Sequence, residues 1–358
     1  MTVSIKRRQV GGYATTPETP ELRCLAAAAT TDPVTLAQLA LHTSVPIREH
    51  VAGNLSATPA TLDDLSRDRS RFVQQAAASN PHTPPAALDR LAHNTDIDIR
   101  RDVALNPATT TSTLWALSDD PIRWVVENVA SHCNATPELL EHLAGCRHQE
   151  IREVVAEHHT ASPATLSKLA DDSCMYVRAA VASNRNTPPP VLGLLARDPD
   201  TAVVASVADN TATPPAILGS LVDSPDRFTA IRARTNPSLP SHVLHELVLS
   251  DNTEKRQCAL SNPAITDSDI DLLEHSADPV ESAKAAGERR ARLSAYAGTL
   301  HEPARSQALM LITGGFPGWY QQLDTVLALD VHPAPAHRTL TSAHAHAQQP
   351  RLQQREPR

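Results

Sequence analysis

The sequence predicts an all-α protein, a helical solenoid of about ten 26-residue repeats, on three observations. The first is a Leu-x-x-Leu pair that returns every 26 residues, as Leu36 and Leu39, Leu62 and Leu65, Leu88 and Leu91, Leu114 and Leu117, Leu140 and Leu143, Leu166 and Leu169, Leu192 and Leu195, Leu218 and Leu221, and Leu244 and Leu247. The register continues as Ile270 and Leu273, and a period of this length marks a solenoid. The second is apolar spacing of four ahead of each pair, as in Val177 and Val181, which puts both residues on one helical face. The third is a recurring helix start, in which Asp32, Thr58, Thr136 and Ser162 each stand directly before a proline; this is an N-cap followed by the first helical position, where the missing proline N–H costs nothing.

Within one repeat the first helix carries the valine face and stops at an Asn slot, held by Asn54, Asn80, Asn106, Asn184, Asn210, Asn236 and Asn262, with His132 and His158 as exceptions. Asparagine tolerates left-handed backbone and bonds to its own chain, so a local backbone role is expected. A code for reading nucleic-acid bases fits poorly at a helix exit before a tight turn. The second helix carries the leucine pair, spans about nine residues by helix geometry, and ends near Asp68, Asp120, Asp172 or Asp198. Helices this short are unstable alone in water, so each repeat depends on its neighbours to cover its Val and Leu faces.

The flanks differ from the array at 23–280. Residues 1–22 are expected to be partly disordered. Residues 281–330 read as an atypical helical cap: a basic amphipathic helix over 284–300 with Leu293, Tyr296 and Leu300, then Ala308 to Ile312, a Gly-Gly-Phe-Pro-Gly breaker, and Trp319 and Tyr320. Solenoid ends need cover, and a docking segment is the alternative. Residues 331–358, with His332, His337, His344 and His346, lack an apolar period and are expected to be disordered.

Bulk composition narrows the functional classes. Of a net charge of −8, residues 1–22 carry +1 and residues 281–358 carry +3, so −12 falls on the array. Such a surface repels a phosphate backbone on average, and nucleic acid is an unlikely partner. The five cysteines, Cys24, Cys133, Cys146, Cys174 and Cys258, are odd in number and unpaired in sequence, which indicates neither a disulfide framework nor a standard metal site. His132, Cys133, His142, Cys146, His148, His158 and His159 cluster in sequence without paired ligand spacing. No apolar run reaches membrane-spanning length and the first residues are polar and basic, so neither a membrane span nor a signal peptide is expected and the chain is placed in the cytoplasm. Phosphate-loop, nucleophile-elbow, zinc-protease and dinucleotide motifs are all missing. Acid pairs such as Asp63-Asp64, Asp119-Asp120 and Asp171-Asp172 stand at helix ends, where capping explains them. No catalytic residue, cofactor or metal is expected.

VRAAVASNRNTPPPVLGLLARDPD (177–200), IREHVAGNLSATPATLDDLSRD (47–68) and IREVVAEHHTASPATLSKLADD (151–172) resemble the leucine-rich repeat variant family, whose repeat reads V-R-x-x-V-A-x-N, a Thr-Pro or Pro-Pro turn, then L-x-x-L-A. The likeness covers about 23–280 in one register. It implies a right-handed superhelix of alternating α- and 3₁₀-type helices without strands. One branch of the family has an N-terminal iron–sulfur domain with clustered cysteines; residues 1–27 hold only Cys24, so that cofactor is not carried over.

A second period lies under the first. The residue opening the first helix reads Pro46, Phe72, Asp98, Trp124, Glu150, Tyr176, Ala202, Phe228 and Glu254, so an aromatic stands in every second repeat. Neighbours stacked at roughly 10 Å would space these rings about 20 Å apart. Phe72, Trp124, Tyr176 and Phe228 are either wedges packed on neighbouring helices or partner-binding anchors. Arg48, Arg100, Arg152 and Arg178 either pair with nearby acids or read acidic groups on a partner. The expected function is a non-catalytic protein-interaction scaffold with an extended acidic surface. A nucleic-acid-binding solenoid and a helical-repeat enzyme are the alternatives.

Overall fold

The computed structural model describes residues 16–299, 304–314 and 323, and these form helices and connecting turns with no strand. The chain divides into an N-terminal body, residues 1–212, and a C-terminal body, residues 213–358. Residues 1–15, the Trp319 and Tyr320 segment and the 331–358 tail lie outside the described residues.

In the N-terminal body the helices are α1 (Pro20–Ala27), α2 (Pro33–Leu39), α3 (Val45–Ala52), α4 (Pro59–Leu65), α5 (Arg71–Ser79), α6 (Pro85–Ala92), α7 (Ile97–Leu105), α8 (Thr111–Leu117), α9 (Arg123–Ala130), α10 (Pro137–Leu143), α11 (Gln149–Glu157), α12 (Pro163–Leu169), α13 (Met175–Ser183), α14 (Pro189–Leu195) and α15 (Thr201–Asp209). Odd-numbered helices pack on odd-numbered neighbours, α1 on α3 through to α13 on α15, while α4, α6 and α8 pack in a second layer. The leucine pairs and the valine faces meet between these layers. Every leucine of the pairs is at most 7% exposed, and Val73, Ala77, Val177 and Val181 are fully buried.

The second helices start as their sequence signals demand. The side chains of Asp32, Thr58, Thr136 and Ser162 accept the N–H of the third helical residue at 3.0, 3.2, 3.4 and 3.1 Å. The helices are α-helical rather than 3₁₀: Leu62 N–H donates to the Thr58 carbonyl at 3.0 Å and Ser66 N–H to Leu62 at 2.9 Å, both four residues back. Three-residue closures appear at the ends, at starts led by proline, as from Ala87 N–H to the Pro84 carbonyl at 2.9 Å, and after the helix, as from Asp68 N–H to the Leu65 carbonyl at 3.0 Å. A capped start with proline in place supplies α geometry from the first turn. The helices run seven or eight residues and end on the second leucine or one residue past it, short of the nine expected.

The Asn slot departs from the local role expected of it. Asn80 and Asn184 sit in extended backbone at φ −76° and −74°, not left-handed, which aims the amide at the preceding repeat. Asn184 Nδ2 donates to the carbonyls of Ala156 at 2.7 Å and His158 at 3.1 Å, while its Oδ1 accepts the Asn186 N–H at 2.9 Å. Asn54, Asn80, Asn106 and Asn210 repeat the pattern. The result is a buried ladder of amides tying each repeat to the one before it. Replacing Asn184 by alanine leaves the Ala156 carbonyl and the Asn186 N–H without these partners and removes one of two bonds to the His158 carbonyl, and denaturant unfolding is expected to show a loss of about 2–3 kcal/mol. Asn186→Ala, which removes only an exposed bond to the His159 carbonyl, serves as its control at about 0.5 kcal/mol.

The C-terminal body continues the alternation with α16 (Pro215–Leu221), α17 (Arg227–Thr235), α18 (Ser241–Val248), α19 (Thr253–Ser261) and α20 (Asp267–Glu274), followed by α21 (Pro279–Ala297) and α22 (Ala304–Gly314). α21 begins five residues before the expected basic helix, capped by Asp278, and its basic side is partly turned inward. Arg289 is buried, 2.9 Å from Asp271. Leu293 and Ala297 close a small core with Ala308, Leu311, Ile312 and Leu323.

Candidate functional site

The first helices of the N-terminal body bury the residues one and five positions after the opener, such as Val125 and Val129 on α9 and Val177 and Val181 on α13. Helical periodicity therefore turns the opener itself outward. Phe72, Trp124 and Tyr176 are 51%, 61% and 56% exposed, whereas a wedge packed on neighbouring helices would be buried. In the C-terminal body Phe228 holds the same position on α17 and is 74% exposed.

Sequence reading missed the residue before three of the four rings. Arg71, Arg123 and Arg227 follow the same 52-residue superperiod, one position earlier. Arg71 stacks 4.9 Å from the Phe72 ring centre and pairs with Asp96 at 2.8 Å. Arg123 reaches Glu150 on α11 at 2.9 Å, and Arg227 reaches Glu254 on α19 at 2.6 Å. At Phe72, Trp124 and Phe228 an arginine beside the ring thus pairs with an acid on the next repeat, whereas Tyr176 follows Met175.

Arg48, Arg100, Arg152 and Arg178 have a different setting. Arg178 Nε and Nη2 donate to the two carboxylate oxygens of Asp198 at 2.7 and 3.0 Å, and Nη1 donates to the carbonyls of Asp172 at 2.8 Å and Ser173 at 3.4 Å. Asp198 Oδ1 also accepts the Asp200 N–H at 2.9 Å. The same fork joins Arg48 to Asp68, Arg100 to Asp120 and Arg152 to Asp172. Each arginine staples the loop before its own helix to the equivalent loop 26 residues on, and its donors are engaged within the chain. The arginine's partner is therefore the aspartate 20 residues later. The Arg178 guanidinium holds the Asp198 carboxyl below the usual carboxylate range, and Arg152 does the same to Asp172. Gln74 and Asn94 form an uncharged version: Asn94 Nδ2 donates to Gln74 Oε1 at 2.8 Å, and Gln74 Nε2 to the Asp68 carbonyl at 2.7 Å.

His132 and His158 take the Asn slot and its bonds. His132 Nε2 lies 2.9 Å from the Asn106 carbonyl, and its Nδ1 accepts the Asn134 N–H at 3.0 Å. Cys133 is exposed and Cys146 half-buried. Among the described residues no group of three His, Cys, Asp or Glu side chains is placed to hold a metal ion. Of the acid pairs, Asp63 bonds Arg67 and Arg90, Asp120 and Asp172 belong to the arginine forks, and Asp119 lies 3.4 Å from His142. An open groove of about 840 Å³ is lined by Asp171, Gly193, Leu194 and Arg197 beside the Arg178 fork, whose charges are already paired.

Residues 177–200 match the family model described as leucine rich repeat variant. Among solved structures, the chain is similar to a leucine-rich repeat variant with a novel repetitive structural motif, at 25% identity over 61% of this chain and 85% of that one, with a TM-score of 0.46. It is also similar to an engineered protein at 16% identity over 86% and 92% with a TM-score of 0.28, and to a designed armadillo repeat protein at 17% identity over 76% and 94% with a TM-score of 0.13. No curated protein matches. No helix among the described residues is long and apolar enough to cross a membrane.

Proposed function

We propose that this chain, built on the leucine rich repeat variant unit, is a non-catalytic cytoplasmic scaffold that holds a protein partner on the outer face of its first helices. On this reading residues 23–280 form one array, and residues 281–330 cap it. The observation that carries the reading is the outward placement of Phe72, Trp124 and Tyr176 at one register position, with Phe228 at the equivalent position of the C-terminal body. Each such ring offers about 150–250 Å² of contact area at little entropic cost, and rings of this kind dominate binding energy where a partner buries them. The Arg48, Arg100, Arg152 and Arg178 forks serve by fixing the loops from which those helices start.

Capture from the native host with the intact chain, compared with the Phe72, Trp124, Tyr176 and Phe228 to alanine variant, tests the reading. The expected result is loss of one identified protein partner with the melting temperature unchanged. Retention of that partner, or unfolding of the variant, would overturn it. Against random duplex DNA or RNA the charge of −12 on residues 23–280 predicts negligible binding; strong association that weakens steeply with salt would make nucleic acid the partner instead.

A further inference from the structure

We propose that the outer face of α9, α11 and α13 binds a cationic segment of the partner, an extended stretch of chain bearing arginine or lysine. This deepens the scaffold reading and rests on it. α11 packs between α9 and α13. At spacings of three and then four residues, which share a helix face, α9 presents Trp124, Glu127 and Ser131, α11 presents Glu150, Glu153 and Glu157, and α13 presents Tyr176, Ala179 and Ser183. An acidic stripe therefore runs between two exposed rings.

The charges on this face are not balanced by the chain. Arg123 neutralises Glu150, but Glu127, Glu153 and Glu157 form no ion pair among the described residues. Burial, together with the nearby charges of Glu157 and Glu150, holds the Glu153 carboxyl above its usual range, so the repulsion between these acids goes unrelieved. The equivalent positions on the neighbouring helix, Ala179 and Ser183, supply no cation. A guanidinium or ammonium entering here gains charge-assisted bonds from the glutamates, and Trp124 and Tyr176 offer ring faces to the cation and apolar surface to its stem. An acidic segment or a phosphate backbone would add to the repulsion instead.

The test is titration of the full chain with fluorescein-labelled alternating arginine–glycine and lysine–glycine peptides, with a glutamate–glycine peptide as comparison. Glu153→Gln with Glu157→Gln, and separately Trp124→Ala with Tyr176→Ala, are each expected to weaken binding of the cationic peptides about tenfold. Glu141→Gln with Asp171→Asn, the same change in charge at exposed sites off this face, is expected to leave affinity within about twofold, since exposed charges more than a Debye length away are screened. All variants should melt as the parent does. Equal weakening by the off-face pair, absence of binding, or no preference over the glutamate peptide would overturn the proposal. If these peptides fail while the four-ring variant still loses its native partner, the scaffold reading stands and only the cationic character falls.

Discussion

Replacing Asp198 by alanine is expected to destabilise the folded chain by about 3 kcal/mol, because it removes one partner of an ion pair whose members are little exposed. The Asp198 side chain is 6% exposed and that of Arg178 15%. Alanine at 198 strands two guanidinium donors and the Asp200 N–H, and the freed arginine cannot reach water without leaving the Asp172 and Ser173 carbonyls it also holds. The chain carries its own remedy in the Gln74 and Asn94 pair. Arg178→Gln combined with Asp198→Asn is expected to regain all but about 1 kcal/mol, since neutral hydrogen bonds avoid the desolvation cost of the charges. Urea unfolding of the parent, the single variant and the double variant decides the matter; a double variant no more stable than the single would show that charge, not bond geometry, holds these loops.

Acidification from pH 7 to pH 5 is expected to weaken the middle of the N-terminal body through His158. Its Nδ1 accepts the Thr160 N–H at 3.2 Å, which requires that nitrogen to be unprotonated. Burial, then the neighbouring His159 and His132, lowers the pKa of His158 from its ordinary 6.5. A group depressed in the folded state binds its proton more readily when unfolded, so its contribution is present above about pH 6.5 and is lost as the pH falls through the folded value. Protonation sets one N–H against another, at a cost of about 1–3 kcal/mol. Asparagine fills this slot in the repeat after it, at Asn184, and two repeats before it, at Asn106, and does not titrate. His158→Asn should therefore fold as the parent does and lose less of its melting temperature between pH 7 and pH 5. Parallel melting curves for the two proteins over that interval would contradict this account.

How much of this could be read from the chain depended on the range of each interaction. The leucine pairs and the caps followed by proline act within one helix, so their spacing revealed both helices of the repeat. Asn184 looked like a local cap because its partners, Ala156 and His158, lie in the repeat before it, where no short-range pattern points. The Arg178 and Asp198 pair was hidden by its 20-residue separation, although the matched changes to Gln74 with Asn94 and to Val126 with Cys146 were present within the same sequence. The rings were visible as a superperiod. What periodicity could not say was which way they point, because exposure at a helix entrance is set by the packing of the two residues beyond it. The expected 3₁₀ geometry came from the family resemblance, and the capped α-helical starts of these particular repeats replaced it.

The reach of Arg123 from beside one ring to Glu150 on the following helix makes α9 depend on which repeat follows it. Excising a single 26-residue repeat at 149–174 would bring Tyr176 to the place of Glu150, leaving Arg123 with no carboxylate and two rings side by side. Excising the two repeats at 149–200 would bring Ala202 there instead, which sets no second ring beside Trp124 but again offers no carboxylate. Shortening the array just after α9 therefore breaks the Arg123 bridge whether one repeat is lost or two, and only the single loss also brings two rings together.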